Sequence, residues 1–224
     1  MDKRFLAILG TIVIIFIGIF VISQNSSDSS GNNKSGTSSS VTKHVQGQNQ
    51  KGITFQEYGD YQCPICEAYY QPVKTATAPL LNDIHFQFSN LPLSPNPHPN
   101  AFAAARAAEA AALQNKFWEM HDKLYETQNE WSGLSNPQPK FEQYAKDLGL
   151  NVTQFSTDYA SSKVNDVIIA DLNAFQKTGQ EKATPTFFLN GVYVPNSNFS
   201  DPQTGAPSAD KITSYLNAQI AQKK

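Results

Sequence analysis

Cysteine is nearly absent from this chain of 224 residues: Cys63 and Cys66 are the only two. A structural zinc site takes four protein ligands, and one Cys-x-x-Cys supplies half of them. The histidines, His44, His85, His98 and His121, are scattered and form no closely spaced pair, so no metal is expected. No cysteine lies near the N-terminus, which excludes a lipid-modified N-terminal cysteine. Excess charge of one sign is also lacking. Lysine and arginine number 17 against 19 acidic residues, and the basic residues are not clustered. The chain therefore has no electrostatic pull toward nucleic acid, and no nucleic-acid partner is expected.

Long apolar runs are missing except at the N-terminus. Met1-Asp2-Lys3-Arg4 is followed by Phe5 to Ile22 without a charge. At about 1.5 Å per helical residue this run nearly matches a hydrocarbon core of about 30 Å. Lys3 and Arg4 precede it and no basic cluster follows, so the positive-inside rule leaves the N-terminus cytoplasmic. Residues 1–22 are thus expected to be a cytoplasmic tip and transmembrane anchor of a single-pass cell-membrane protein, with the rest extracytoplasmic. A cleaved signal peptide is the competing reading. The run is long for a signal sequence, and no clear Ala-x-Ala site follows Ile22. Either reading delivers the remainder to a space where disulfides form and persist.

Residues 23–50 are rich in Ser, Asn, Gly, Thr and Gln and carry almost no apolar side chain. Such a segment cannot bury enough surface to offset its chain entropy and is expected to be a disordered linker. The folded domain is expected over 51–224. Ile53, Phe55 and Glu57 alternate onto one face of a strand, and Ile84, Phe86 and Phe88 do the same. Between them lies a helix in which Pro72 and Pro79 mark a kink or break. A helical block follows over about 98–178. It has Asn100 as a candidate cap, an alanine-rich stretch Ala101 to Gln114, and a core-facing stripe Leu113, Phe117, Met120 and Leu124. Two further helices end at Gly149 and Gly179. Thr186 to Leu189 and Val192 to Val194 flank Asn190-Gly191, a two-residue hairpin signal. Ile212, Tyr215, Leu216 and Ile220 define a last helix. The fold class is α/β, in the order β-α-β, helical block, β-β-α.

Cys63-Pro64-Ile65-Cys66 ends the first strand segment and opens the first helix. Unpaired N–H groups and the helix dipole favour a thiolate at that place. The thiolate is the species that attacks disulfides, so the pattern points to thiol–disulfide exchange. A purely structural disulfide here would close a very small loop and constrain the unfolded chain little.

Three segments together carry a family resemblance: Glu57-Tyr58-Gly59-Asp60-Tyr61-Gln62 leading into Cys63-Pro64-Ile65-Cys66, then Lys116-Phe117-Trp118-Glu119-Met120-His121-Asp122, then Ala183-Thr184-Pro185-Thr186-Phe187-Phe188-Leu189-Asn190-Gly191. In this order they resemble the DsbA-like branch of the thioredoxin superfamily, over roughly Ile53 to Ala221. The resemblance implies a thioredoxin fold with an inserted helical domain and an extracytoplasmic protein-disulfide oxidoreductase without cofactor. It implies Cys63 as the nucleophile at an exposed helix end and Cys66 as the more buried resolving cysteine, the two forming a redox-active disulfide. It implies Pro185 as a cis-proline whose Thr184 backbone pairs with substrate, beside Pro64 and Ile65. The DsbA oxidase has a histidine where this chain has Ile65, and isoleucine brings no imidazole to the thiolate.

Glu57 shares a face with Ile53 and Phe55. A carboxylate on an apolar face has a raised pKa and can relay protons to a buried thiol such as Cys66; the alternative is a solvated strand-end glutamate. Asp60 reads as structural, and His121 as a packing or hydrogen-bonded residue. The expected partners are unfolded or reduced secreted and surface proteins, into which the enzyme introduces disulfides. The resemblance also implies a membrane reoxidase of the DsbB or vitamin-K-epoxide-reductase-like type. The same site run as a reductase or isomerase, and a non-catalytic chaperone-like binder, are the rival readings.

Overall fold

The computed structural model describes residues 44–93 and 95–223. The transmembrane anchor expected over residues 1–22, and most of the linker expected over 23–50, lie outside the described residues. The end of that linker is a correction. His44–Gln46 forms strand β1, paired antiparallel with the strand Ile84–Asn90. The following turn is tied down by Gln48 N–H to the Leu81 carbonyl at 2.6 Å and Lys51 N–H to the Asp83 carbonyl at 3.0 Å. Polar composition hid this because a strand at a sheet edge can be held by its backbone. Gly47 is required in the turn: it has φ +99, and a Cβ there would strike the Ile84 carbonyl.

The five-stranded sheet has the order β1-β3-β2-β4-β5. β2 is Ile53–Gly59, β3 is Ile84–Asn90, β4 is Thr186–Leu189 and β5 is Val192–Val194. β2 runs parallel to β3 and antiparallel to β4, so the sheet is mixed and β2 is its centre. Helix α1, Pro64–Thr77, makes the crossover between the parallel pair. It continues through Pro72 rather than breaking there. On one face of the sheet Ile53, Phe55 and Phe187 pack against Tyr69 and Val73 of α1 and against Ile212 and Leu216 of the last helix, Ala209–Ala221. On the other face Tyr58 and Phe188 meet Phe175. Burying a side chain of this size contributes about 1.5–3 kcal/mol.

The helical block between β3 and β4 comprises α2 (Ala101–Ala112), α3 (Phe117–Glu126), α4 (Gln128–Trp131), α5 (Gln138–Asp147), α6 (Val152–Tyr159) and α7 (Ser162–Gln176); Ala209–Ala221 is α8. Alanines 104, 105, 107, 108, 110 and 111 are all buried, so α2 presents mostly small side chains to its neighbours and serves as the block's axis. Side-chain caps form at Asn151, Ser161 and Ser208. Asn100 stands at the cap position of α2 but its amide donates instead to the Ser132 and Leu134 carbonyls, at 3.0 and 2.8 Å. Leu113 falls just past α2 and is exposed; the stripe of Phe117, Met120 and Leu124 is buried as expected. Gly149 and Gly179 lie two and three residues past α5 and α7 with φ +75 and +71, and Asn190 and Gly191 turn the β4–β5 hairpin with φ +49 and +80.

Candidate active site

Asp60 builds the turn that delivers the sulfurs. Its carboxylate accepts from Gln62 N–H at 2.8 Å and Leu93 N–H at 3.0 Å and pairs with His98 Nδ1 at 2.7 Å. Its carbonyl accepts from Cys63 N–H at 3.1 Å. Cys63 is thereby the N-cap residue of α1, with extended backbone, and Pro64 occupies the first turn, where its missing N–H has no intrahelical partner. Both thiols are free. Cys66 is fully buried, as expected. Cys63 is not at an open helix end: it is only 5 % exposed. Cys63 Sγ lies 3.5 Å from the Thr184 carbonyl. On another side Gln128 Nε2 donates to the carbonyls of Tyr61 and Cys63 at 2.8 and 3.1 Å. Pro64 and Ile65 are both exposed, Ile65 at 54 %.

The two thiols differ in acidity. Cys63 is pulled down from 9.0 to about 6. The hydrogen bond from the Cys66 thiol is the largest cause; burial opposes it, and Thr184 and the N–H groups of Cys66 and Ile65 add to the lowering. Cys66 is pushed well above its ordinary value, first by burial, then by the proton it shares with Cys63 and by the charges of Cys63 and Glu57. Near neutral pH the pair is therefore a thiolate on Cys63 hydrogen-bonded to a thiol on Cys66.

Glu57 lies on the buried face of β2, 3 % exposed, between Phe88 of β3 and Phe187 of β4 in the register. It is not a solvated strand-end residue. Burial, and then the charge on Cys63, raise its pKa from 4.5 to about 8, so it holds a proton near neutrality. Thr184-Pro185 is a cis peptide bond. Asn196 Nδ2 donates to the Pro185 carbonyl at 3.0 Å and Thr186 Oγ1 to the Ala183 carbonyl at 2.6 Å, which hold this loop against the sulfurs. The structure thus gathers Cys63, Cys66, Glu57, Thr184 and Pro185 into one place. Pro64 and Ile65 form the turn between the sulfurs.

Gln128 was not legible as a site residue. It belongs to a four-residue helix far along the chain, and no periodicity or spacing marks it. Gly59 is a similar case: a Cβ there would meet the Phe88 ring and the Tyr125 hydroxyl. No group of three or more His, Cys, Asp or Glu suited to a metal occurs among the described residues.

A mixed sheet interrupted by a helical block, with two cysteines at the start of the first helix, defines a thioredoxin-fold protein. The family profile described as thioredoxin matches residues 39–215, and the chain belongs to that family. Solved structures of the same fold include a thioredoxin-like oxidoreductase from Silicibacter pomeroyi (TM-score 0.61, 23 % identity, covering 81 % of this chain and 93 % of that one). BdbD from Bacillus subtilis in its oxidised form aligns with TM-score 0.63 and 21 % identity over 80 % of this chain and 93 % of its own. DsbA from Xylella fastidiosa aligns with TM-score 0.59 and 17 % identity over 76 % and 85 %. Among curated proteins, 153 residues are 37 % identical to part of a Na(+)/H(+) antiporter NhaA 1 from Mycolicibacterium vanbaalenii. That stretch is 66 % of this chain but 23 % of the antiporter, so the chain spans about a quarter of this relative's length. No helix among the described residues is long and apolar enough to cross a membrane.

Proposed function

We propose that this protein is an extracytoplasmic thiol–disulfide oxidoreductase that introduces disulfides into secreted or surface proteins. The observation that carries the reading is the split between the two thiols: Cys63 is acidified at a helix N-cap while Cys66, one turn on, is buried and protonated. The likeness in fold to DsbA and BdbD supports the same chemistry.

In the oxidised enzyme a substrate thiolate attacks Cys63 Sγ. The Cys63–Cys66 bond breaks, a substrate–Cys63 disulfide forms, and Cys66 leaves as a thiolate that takes a proton. A second substrate thiolate attacks the substrate sulfur of that mixed disulfide and expels Cys63 as a thiolate. The substrate dithiol is oxidised and the enzyme disulfide reduced, with two electrons passed. A stabilised Cys63 thiolate is a good leaving group and favours the reduced enzyme, which makes the disulfide form an oxidant. Thr184 and Pro185 offer backbone to an extended substrate, and the exposed Ile65 offers an apolar contact beside it. A membrane reoxidase of the DsbB or vitamin-K-epoxide-reductase-like type would take up the electrons. Residues 1–22 would hold the enzyme in the cell membrane beside that partner.

The test is catalysed oxidative refolding of a reduced secreted protein, with Cys63→Ser as control. The variant should fall to the uncatalysed rate; activity unchanged by the substitution removes Cys63 from this role. The equilibrium of the pair with glutathione sets the direction. A potential of about −120 to −180 mV fits an oxidase or isomerase, and one near about −270 mV, as in thioredoxin, assigns a reductase.

A further inference from the structure

Glu57 borders a cavity of about 130 Å³ that the exchange steps above do not use. Glu57, His121, Asp122, Tyr125, Tyr70 and Lys74 are among its lining residues, and Val73, Ala78, Phe86 and Trp118 add apolar wall. It has room for several waters. Its lining runs from the buried Glu57 to the part-exposed side chains of Lys74 and Asp122. His121 is buried in an aromatic cage, with ring centroids of Phe88, Tyr125 and Trp118 at 4.7, 5.1 and 5.2 Å. Its Nδ1 meets Asp122 Oδ1 at 3.2 Å, while its Nε2 is buried without a hydrogen-bond partner, and so is the hydroxyl of Tyr125. A buried polar atom left unpaired costs about 1–3 kcal/mol, so two such atoms lining one cavity call for water between them.

We propose that this cavity is the proton path of the site, in which water connects Glu57 to His121, and that His121 with Asp122 passes the proton on to solvent. The inference rests on the proposed exchange reaction. Asp122 Oδ2 is held by Lys74 Nζ at 2.7 Å. Oδ1 of this ionised carboxylate can only accept, so the neutral imidazole carries its proton on Nδ1 and its lone pair on Nε2. Burial keeps His121 below its ordinary pKa, and the charges of Lys74 and His44 act the same way, against the hydrogen bond and charge of Asp122. The other ionisable groups around the ring are Tyr61 from the β2–α1 turn, Tyr70 from α1 and Tyr125 from its own helix. β3 presents Phe88 to it.

When a mixed disulfide on Cys63 closes, Cys66 must lose its proton to attack. The S–H bond breaks and the proton passes to the Glu57 carboxylate, whose own proton has left through cavity water to His121 Nε2. The Nδ1 proton then leaves by Asp122 to solvent, which leaves the ring as its Nε2–H tautomer until the reverse transfer resets it. Reduction of the enzyme disulfide runs the same transfers in reverse. His121 touches no reacting sulfur in this scheme and is a positioning and relay residue.

The test uses the full chain carrying a glutathione mixed disulfide on Cys63, with the first-order release of glutathione followed across pH. His121→Gln should slow closure about tenfold near about pH 6.5, since proton transfer by a placed side chain is worth about 10²–10⁴ and water retains part of it. The gap should narrow toward about pH 9, where hydroxide in the cavity takes the proton directly. The equilibrium with glutathione should stay within about twofold of the parent, because a relay changes rates and not end states. Asp122→Asn, which keeps the packing, should slow closure in the same pH range by a smaller factor. Added imidazole should restore His121→Ala. A folded His121→Gln or Asp122→Asn with the parent's pH profile overturns the path, as does a shifted equilibrium with an unchanged rate. Exchange that survives Cys63→Ser would instead overturn the oxidoreductase reading itself.

Discussion

Two buried glutamates, Glu57 of β2 and Glu109 of α2, are used in opposite ways. Glu109 of α2 is 4 % exposed. Its Oε1 accepts from Asn90 Nδ2 at 2.6 Å and meets His44 Nε2 at 2.8 Å. That carboxylate ties the edge strand β1, the end of β3 and the helical block together, and Asp171 of α7 joins the same knot through Asn90 N–H at 2.8 Å. Glu57 is as deeply buried, but it faces sulfur and a cavity, and burial together with the Cys63 charge lifts its pKa to about 8. Burial alone therefore does not mark a functional carboxylate. A buried acid surrounded by fixed donors holds parts of the fold in place, whereas one beside a thiolate and a path to solvent is left able to exchange its proton.

The largest effect should come from cutting the structural knot. Glu109→Ala leaves the Asn90 amide only its longer bond to Asp171 Oδ2, at 3.4 Å, and takes the partner from the His44 ring, and it should cost about 2–3 kcal/mol. Urea unfolding checks this; the exchange rate of the folded fraction should barely move. Next, Glu57→Gln should slow closure of the Cys63 mixed disulfide about 10²-fold near neutrality, as loss of a general acid–base does, while leaving stability intact or raised.

The same variant has a pH signature. The folded-state pKa of Glu57 lies above its unfolded value, so the folded protein binds the extra proton between 4.5 and about 8. Its contribution to stability is present below 4.5 and is lost as pH rises through that window. Cys63 has the opposite sign: its folded pKa is lowered from 9.0 to about 6, so its contribution is present above 9 and lost as pH falls through about 6. The two partly cancel where their windows overlap. The clean comparison is the parent against Glu57→Gln between about pH 5 and pH 6, where the parent should lose stability with rising pH relative to the variant. Parallel stability curves would show that Glu57 does not titrate as its surroundings require.

The smallest effect concerns the sulfurs themselves. Ile65→His places an imidazole at an exposed position beside the Cys63 thiolate. It should shift the glutathione equilibrium toward the reduced enzyme by up to about tenfold, which is about 30 mV for a two-electron couple. A shift in the other direction would show that the apolar side chain already favours the thiolate.

Much of the fold was legible because it depends on local pattern. Alternation placed β2 and β3, Asn190-Gly191 placed the β4–β5 turn, and periodic apolar residues placed α3 and α8. Within the site, Cys63-Pro64-Ile65-Cys66 and Thr184-Pro185 could be read directly, and the face shared by Ile53, Phe55 and Glu57 put the acid inward. What could not be read depended on partners distant in the chain. β1 hides in polar sequence because its backbone pairs with β3. Asn100 turns from cap to tether because three carbonyls near Ser132 come within its reach. Gln128 reaches the Cys63 carbonyl from a short helix 65 residues away.

The sequence by itself determined the order of strands from β2 onward and the chemical identity of the reactive groups, since strand alternation, helix periodicity and a Cys-x-x-Cys at a strand–helix junction are properties of neighbours. Only the tertiary structure decided how far Cys63 is shielded, that Gln128 reaches its carbonyl, and that Glu57 shares a cavity with His121. Burial, long-range hydrogen bonds and enclosed space are set by segments far apart in the chain, and no local pattern encodes them.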